Sequence, residues 1–314
     1  VDWPDSVQKI FDGDLVMALA HVTRAHGVVV TPMVNFALHD RTASTITFLS
    51  STGAWRKLER IRDNPQVAVA FHTRAHGGSD RPEYVLVQGT ASFSMVPNRE
   101  WLESIAPQWE RAMGPRVLGQ PWDWWLRIYH WERVAVTITI ERVQIWPDLV
   151  CSGRPIRFGT SSPTEPAKPQ RTPKNGTLPR INHIRAARRA MSVPESLLSW
   201  VDSDGFPIVV PVTITGANLE GFTVSACDGL IPPGGRRAGL TSHWFSSRVT
   251  GQRQYQHTGW LDVAPGRTPV YSPHTEYAYR LPPARWLYRI AVGAFTRSGL
   301  RRAEKDGFSS RWKR

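Results

Sequence analysis

The segment FLSSTGAWRKLERIRDNPQVAVAF (48–71) holds the residue types best suited to chemistry in this chain. An apolar run stops at Ser50-Ser51-Thr52-Gly53, and the spacing predicts a helix that opens with Trp55-Arg56-Lys57. Ser51 or Thr52 suits the helix cap and Gly53 permits a tight turn, so unpaired N–H groups would face outward at the positive end of the helix dipole. Cations in a first turn oppose that dipole. Arg56 and Lys57 are better placed if an anion such as a phosphate sits between them and the helix N-terminus. The plain alternative is an exposed helix whose Arg56, Lys57, Arg60 and Arg62 keep its surface solvated. Asn64-Pro65 ends the helix, and QVAVAF returns to strand.

Other chemistry is sparse. No nucleophilic triad, acid–base pair of carboxylates or zinc spacing stands out. His72 and His76 lie four apart in a glycine-rich turn (71–79), a poor setting for a metal pair. Cys151 and Cys227, the only cysteines, form neither a disulfide framework nor a ligand set and fit a reducing compartment. Lys and Arg outnumber Asp and Glu by 39 to 26, and a net charge of +13 favours an anionic partner: nucleic acid, a membrane surface or a phosphorylated small molecule. An apolar content of 41% with 14 Trp and 11 Phe supports packed cores. No long apolar run marks a membrane span or secretory signal, which predicts a cytoplasmic protein without a membrane partner.

These residues need a scaffold, and the chain divides into one. Residues 152–180, rich in proline and poor in large apolar side chains, read as a linker between a first unit (1–151) and a second (181–295), with a basic tail at 296–314. The halves repeat a pattern. GVVVTPMVNFAL (27–38) and STITFLSS (44–51) predict a hairpin turning at His39-Asp40-Arg41, and GFPIVVPVTIT (205–215) with GFTVSAC (221–227) predicts its counterpart. Pro32 matches Pro211 in this register, and Arg56-Lys57 matches Arg236-Arg237. Each basic pair precedes a glycine-bearing strand, YVLVQGTASF (84–93) or YQHTGWLDV (255–263). The first half adds helical spacing at 97–114 and 121–134 and a long strand at 134–146. Trp101, Trp109, Trp122, Trp124, Trp125 and Trp131 in these helices would pack against the sheet, with stacking on a cofactor the less favoured role.

Strand-turn-strand, then FLSSTGAWRKLERIRDNPQVAVAF, then VLVQGTASF resembles the split β-barrel flavoproteins of the pyridoxamine 5′-phosphate oxidase-like superfamily. The likeness spans about residues 14–94, with ERVQIWPDL (141–149) similar to the closing strand, and is loose in the second half. It implies a mainly β fold with helical insertions, in which two tandem six-stranded split barrels form a pseudo-dimer within one chain, possible as a monomer. It also implies FMN, or alternatively the deazaflavin F420, at the seam between the barrels. By the same resemblance Arg56 and Lys57 would hold the phosphate, with Ser51 and Thr52 donating beside them. The backbone of Val30, Thr31, Pro32, Met33 and Val34 would run along the ring, and Gln88 would reach the ring or ribityl chain. Trp55 stands where serine is usual. The second half, PPGGRRAGLTSHW, lacks the Leu-x-x-Asn-Pro continuation, so it would close the first site rather than form its own. Arg236, His243 and Trp260 are its candidate walls.

The implied activity is hydride transfer to or from a small organic substrate, with the cofactor carrying the hydride and no acid–base residue identifiable. A cofactor-binding barrel without activity, a heme-binding barrel, and a basic nucleic-acid-binding or interaction protein are the alternatives. For the last, the terminal RSGLRRAEKDGFSSRWKR (297–314) and the interleaved aromatics are the relevant features, though the basic residues are dispersed.

Overall fold

The computed structural model describes residues 1–116, 119, 121–163 and 165–307. The first half contains α1 (Asp5–Gly13), β1 (Val16–Val22), β2 (Val28–Val34), β3 (Leu38–Asp40), β4 (Thr45–Ser51), α2 (Trp55–Asp63), β5 (Gln66–Phe71) and β6 (Tyr84–Phe93). It continues through α3 (Arg99–Ser104), α4 (Ala106–Met113), α5 (Trp122–Trp131), β7 (Arg133–Trp146) and β8 (Ile156–Gly159). The second half contains α6 (His183–Ala190), β9 (Glu195–Val201), β10 (Pro207–Pro211), β11 (Thr213–Asn218) and β12 (Gly221–Ser225). β13 (Arg236–Phe245), β14 (Gln252–Asp262), β15 (Val270–Leu281) and α7 (Arg285–Lys305) complete it.

The two sheets are antiparallel and share one topology. The first runs β2-β1-β5-β6-β7-β4-β3 with β8 added on β7, and the second runs β10-β9-β13-β14-β15-β12-β11. Adding eight to each strand number converts one path into the other. Detail repeats as well: β6 bulges against β7 between Gln88 and Gly89, and β14 bulges against β15 between Thr258 and Gly259. A Cβ on Gly89 would collide with the Thr139 carbonyl oxygen, and one on Gly259 with that of Ser272, so both bulges require glycine. Each half is a curled sheet forming a half-barrel, mostly strand with helical insertions.

The alternation in QVAVAF explains how the half-barrels meet. Val67, Val69 and Phe71 join the core of the first barrel with Met17, Leu19 and Phe48. Ala68 and Ala70, with Ala18 and Ala20 of β1, face the other way and pack with Leu197 and Val209 of the second barrel. Small side chains on that face let the sheets approach closely, and the backbones touch: a Cβ on Gly239 would collide with the Val28 carbonyl. Polar anchors fix the register of the seam. The Tyr84 hydroxyl donates to Val209 O at 2.7 Å, and the Thr241 hydroxyl to Val30 O at 2.8 Å.

Several expectations need correction. β2 pairs with β1, not with β4, because VMALAHV (16–22) is itself a strand and occupies the neighbouring edge. The hairpin at 39–41 instead joins the short β3 to β4. The path in each sheet has seven strands rather than six. The segment 152–180 contains β8, which pairs with β7 from Ile145 to Arg142. The helix expected over 97–114 is two, α3 and α4, and α7 extends through residues assigned to the tail as far as Lys305. Residues 308–314 of that tail lie outside the described residues. Arg236 and Arg237 open β13, the counterpart of β5, so they do not correspond to Arg56 and Lys57 on α2. The connection from β12 to β13 has no helix.

Candidate cofactor site at the seam

A cavity of about 990 Å³ lies where β2, β4 and α2 of the first half face β13, β14, β15 and α7 of the second. Aromatic rings form much of its wall, among them Trp55, Tyr129, Phe245, Tyr277, Tyr279 and Phe295. Thr31, Pro32, Met33 and Val34 line one side. Val30 is buried and contributes its carbonyl instead, which accepts from Thr241 and from Gln256 Nε2. Gln256 Nε2 also donates to Thr31 Oγ1 at 3.1 Å, so β14 holds β2 at the cavity edge.

The opening segment is partly as predicted. Ser51 Oγ accepts from Gly53 N at 3.2 Å, which starts a 3₁₀ turn at Thr52–Ala54 before α2. Two N–H groups of the expected backbone cradle are already used, however. Gly53 N is committed to Ser51 and Thr52 N donates to Glu132 O at 3.0 Å. Helix α7 crosses the turn so closely that a Cβ on Gly53 would lie 3.1 Å from Leu300 N. Thr52 is buried, with its hydroxyl donating to Glu132 O at 3.3 Å, and does not line the cavity.

Side chains replace the cradle. Lys57 reaches the cavity with Met33 Sδ at 3.4 Å as its hydrogen-bond partner and its ammonium 5.8 Å from the Phe48 ring centre. Burial first, and Arg133 second, push its pKa down to about 7. His21 on β1 also lines the cavity and is 1% exposed, yet both its ring nitrogens lack partners. Burial, followed by Arg60 and Lys57, holds its pKa well below the ordinary range. Arg60 lines the cavity, and its side chain makes no hydrogen bond or salt bridge among the described residues. Arg56 leans on the Trp55 ring at 5.3 Å and meets Asp306 of α7 at 3.7 Å, a loose exposed pair. Lys57 with only a thioether for acceptor, beside the unpartnered side chains of His21 and Arg60, fits a phosphate oxyanion. His21 escaped the sequence reading because β1 went unrecognised.

His243 lines the cavity as expected, and its Nε2 lies 2.7 Å from Nε2 of His72 across the seam. His72 Nδ1 sits 3.3 Å from Ala70 O, so its N–H points there and its Nε2 accepts from His243. His243 Nδ1 is then the unprotonated nitrogen. Burial lowers both pKa values: that of His72 to about 4, with the bond to Ala70 O opposing and the Arg74 charge adding, and that of His243 well below its ordinary value, with His72 adding. Among the described residues no group of three or more His, Cys, Asp or Glu side chains is placed to hold a metal.

Besides Val30 and Thr52, three predicted residues do not line the cavity. Gln88 is fully buried, donating to Pro207 O at 2.7 Å and accepting from Arg142 Nε at 2.5 Å and Gln144 Nε2 at 2.9 Å. It lies on β6, the counterpart of β14, in a network where Arg142 stacks on the Phe206 ring at 4.7 Å and pairs with Asp204 at 2.5 Å. Arg236 is buried and caps the carbonyls of Ala167, Pro232 and Pro233, a structural task. Trp260 packs over Gly235, away from the cavity. Of the expected tryptophans, Trp109 is core to the helical layer, where Trp101, Trp122, Trp125 and Trp131 are partly buried. Trp124 is 66% exposed.

No family model and no curated protein matches the chain. Among solved structures, a putative pyridoxamine 5′-phosphate oxidase from Listeria innocua is 23% identical with a TM-score of 0.31, over 45% of this chain and 95% of that one. An F420 reductase is 18% identical with a TM-score of 0.32, over 43% and 94%. An FAD-binding protein from Mesorhizobium loti is 21% identical with a TM-score of 0.28, over 44% and 88%. Scores this low leave the fold to be judged from the strand order. What the strand order shows is two curled antiparallel half-barrels of one repeated topology, mostly strand with helical insertions, packed within one chain.

Proposed function

We propose that the seam cavity binds one phosphate-bearing flavin-type cofactor per chain, FMN in the first instance or F420 in its place, and that the protein is an oxidoreductase acting on a small organic substrate. The observation that carries this reading is the convergence on an aromatic-walled cavity of about 990 Å³ of Lys57, whose hydrogen-bond partner is the weakly accepting Met33 sulfur, with His21 and Arg60, whose side chains have no hydrogen-bond partner among the described residues. A cavity of that size suits a cofactor together with a small substrate. The names of the similar solved structures agree with such a ligand.

In this reading Lys57, Arg60 and Arg56 hold the phosphate, and its negative charge restores the protonated state that burial disfavours in Lys57. The edge of β2 from Thr31 to Val34, braced by Gln256 and Thr241, orients the planar ring system. Tyr277, Tyr279 and Phe295 exclude water above it. Bound there, the cofactor supplies hydride chemistry that no side chain can. The β12–β13 connection has no helix to carry counterparts of Arg56 and Lys57, so one equivalent is expected rather than two. The test is the absorption spectrum of purified protein and of the chromophore released on denaturation. A flavin or deazaflavin spectrum supports the reading, and a heme spectrum overturns it.

A further inference from the structure

The surface formed by α5 and α7 is a second feature that calls for a partner. On its inner side α7 buries Tyr288, Val292, Gly293 and Thr296. On its outer side Trp286 is 59% exposed, Leu287 39% and Ile290 45%, and Trp124 of α5 is 66% exposed. The helices are joined where Trp125 Nε1 donates to Arg289 O at 3.1 Å. Guanidinium groups lie among the rings: Arg297 stands 3.9 Å from the Trp125 centroid and 5.2 Å from that of Trp124, and Arg289 5.7 Å from that of Trp122. Tryptophan and aliphatic side chains pointing outward, with arginines held beside them, are the chemistry of a bilayer interface. Indole rings settle at headgroup depth, aliphatic chains reach the acyl boundary, and guanidinium groups meet phosphates. The sequence that follows the described residues, Phe308 and Arg311-Trp312-Lys313-Arg314, carries the same mixture.

We propose that the α5–α7 surface docks the protein on the face of a membrane rich in anionic lipid. A net charge of +13 opposes a second copy of the chain as the occupant. Single-stranded nucleic acid would use the tryptophans and arginines but gives no role to exposed Leu287 and Ile290, which an acyl boundary does. This is a peripheral contact, since no helix among the described residues is long and apolar enough to cross a membrane.

The test is co-sedimentation of the full chain with phosphatidylcholine vesicles containing 30% phosphatidylglycerol, against pure phosphatidylcholine and against a single-stranded oligonucleotide, in roughly 0.1 M salt. The probe variant is Trp124→Ser with Trp286→Ser and Ile290→Ser, all on exposed positions, with circular dichroism to verify the fold. Wild type should bind the anionic vesicles and not the neutral ones, and the variant should bind them roughly tenfold or more weakly. Brominated acyl chains should quench wild-type tryptophan emission. Absence of binding to anionic vesicles, or equal binding by wild type and variant, overturns the proposal. So does oligonucleotide binding or dimerisation that the same variant abolishes while vesicle binding persists.

Discussion

Lys57→Met should make the protein more stable and, at the same time, poorer at binding FMN. In the folded chain the Lys57 pKa is depressed from 10.5 to about 7 by burial and by Arg133. The unfolded chain therefore binds more protons than the folded one between those values, and stability rises with pH across that window. Below pH 7 the penalty is present in full. At about 1.4 kcal/mol per pH unit the difference corresponds to about 5 kcal/mol as an outer limit. Lys57 retains some accessible surface toward the cavity, so a gain of about 1–3 kcal/mol is the working expectation for an uncharged side chain of similar length. By differential scanning fluorimetry at pH 6.5 the melting temperature should rise by several degrees, at roughly 2 °C or more per kcal/mol. The gain should vanish above about pH 10.5. Hydrogen bonds to charged groups contribute about 1.5–3 kcal/mol, so FMN affinity should fall roughly 10- to 150-fold. A lower melting temperature with unchanged FMN affinity would show that Lys57 is a structural cation and refute the reasoning.

Three further outcomes follow from named contacts. Arg236→Ala should destabilise the protein by about 2–4 kcal/mol in urea unfolding, because it strips the caps from three carbonyls, while leaving the FMN Kd of the folded protein unchanged. Arg142→Ala should cost about 3–5 kcal/mol in the same assay, since Asp204 and Gln88 lose a buried partner; a smaller loss than Arg62→Ala on the surface would contradict the structural weight given to this network. Acid should unfold the protein progressively from about pH 6.5 to 4, because buried His72 has its folded pKa lowered from 6.5 to about 4 and the stability it confers as a neutral ring disappears through that window. A double variant, His72→Phe with His243→Phe, should flatten part of that dependence in melts across pH 4–8.

Much of the fold follows from local pattern, and the failures share a cause. QVAVAF, TITFLSS and VLVQG could be read because β-branched residues alternate with small ones, and the two bulge glycines marked the repeat. VMALAHV escaped because Met, Ala and Leu favour helix by propensity, and its strand state comes from pairing with β2 and β5 on both sides. Missing β1 hid His21 and shifted the hairpin. The pairing of Arg236-Arg237 with Arg56-Lys57 was a coincidence of composition, since the strand order places them on non-equivalent elements. Gln88 looked like a ligand contact because its neighbour in space, Arg142, is 54 residues away, and nothing local announces that bond. The closure of Gly53 by α7 is likewise a contact between distant parts of the chain. Arg56 and Lys57, by contrast, stood out locally, from the mismatch between their charge and the helix end they occupy, and both line the seam cavity.

The central claim, a phosphate-recognising cofactor cavity at the seam, is tested most directly by titrating the cofactor-free protein with FMN and with riboflavin, which lacks the phosphate, and following flavin fluorescence. FMN should bind at one equivalent per chain, roughly tenfold or more tighter than riboflavin, with the difference shrinking as salt rises. Equal affinity for the two flavins, two equivalents per chain, or no binding of either FMN or F420 would contradict the account.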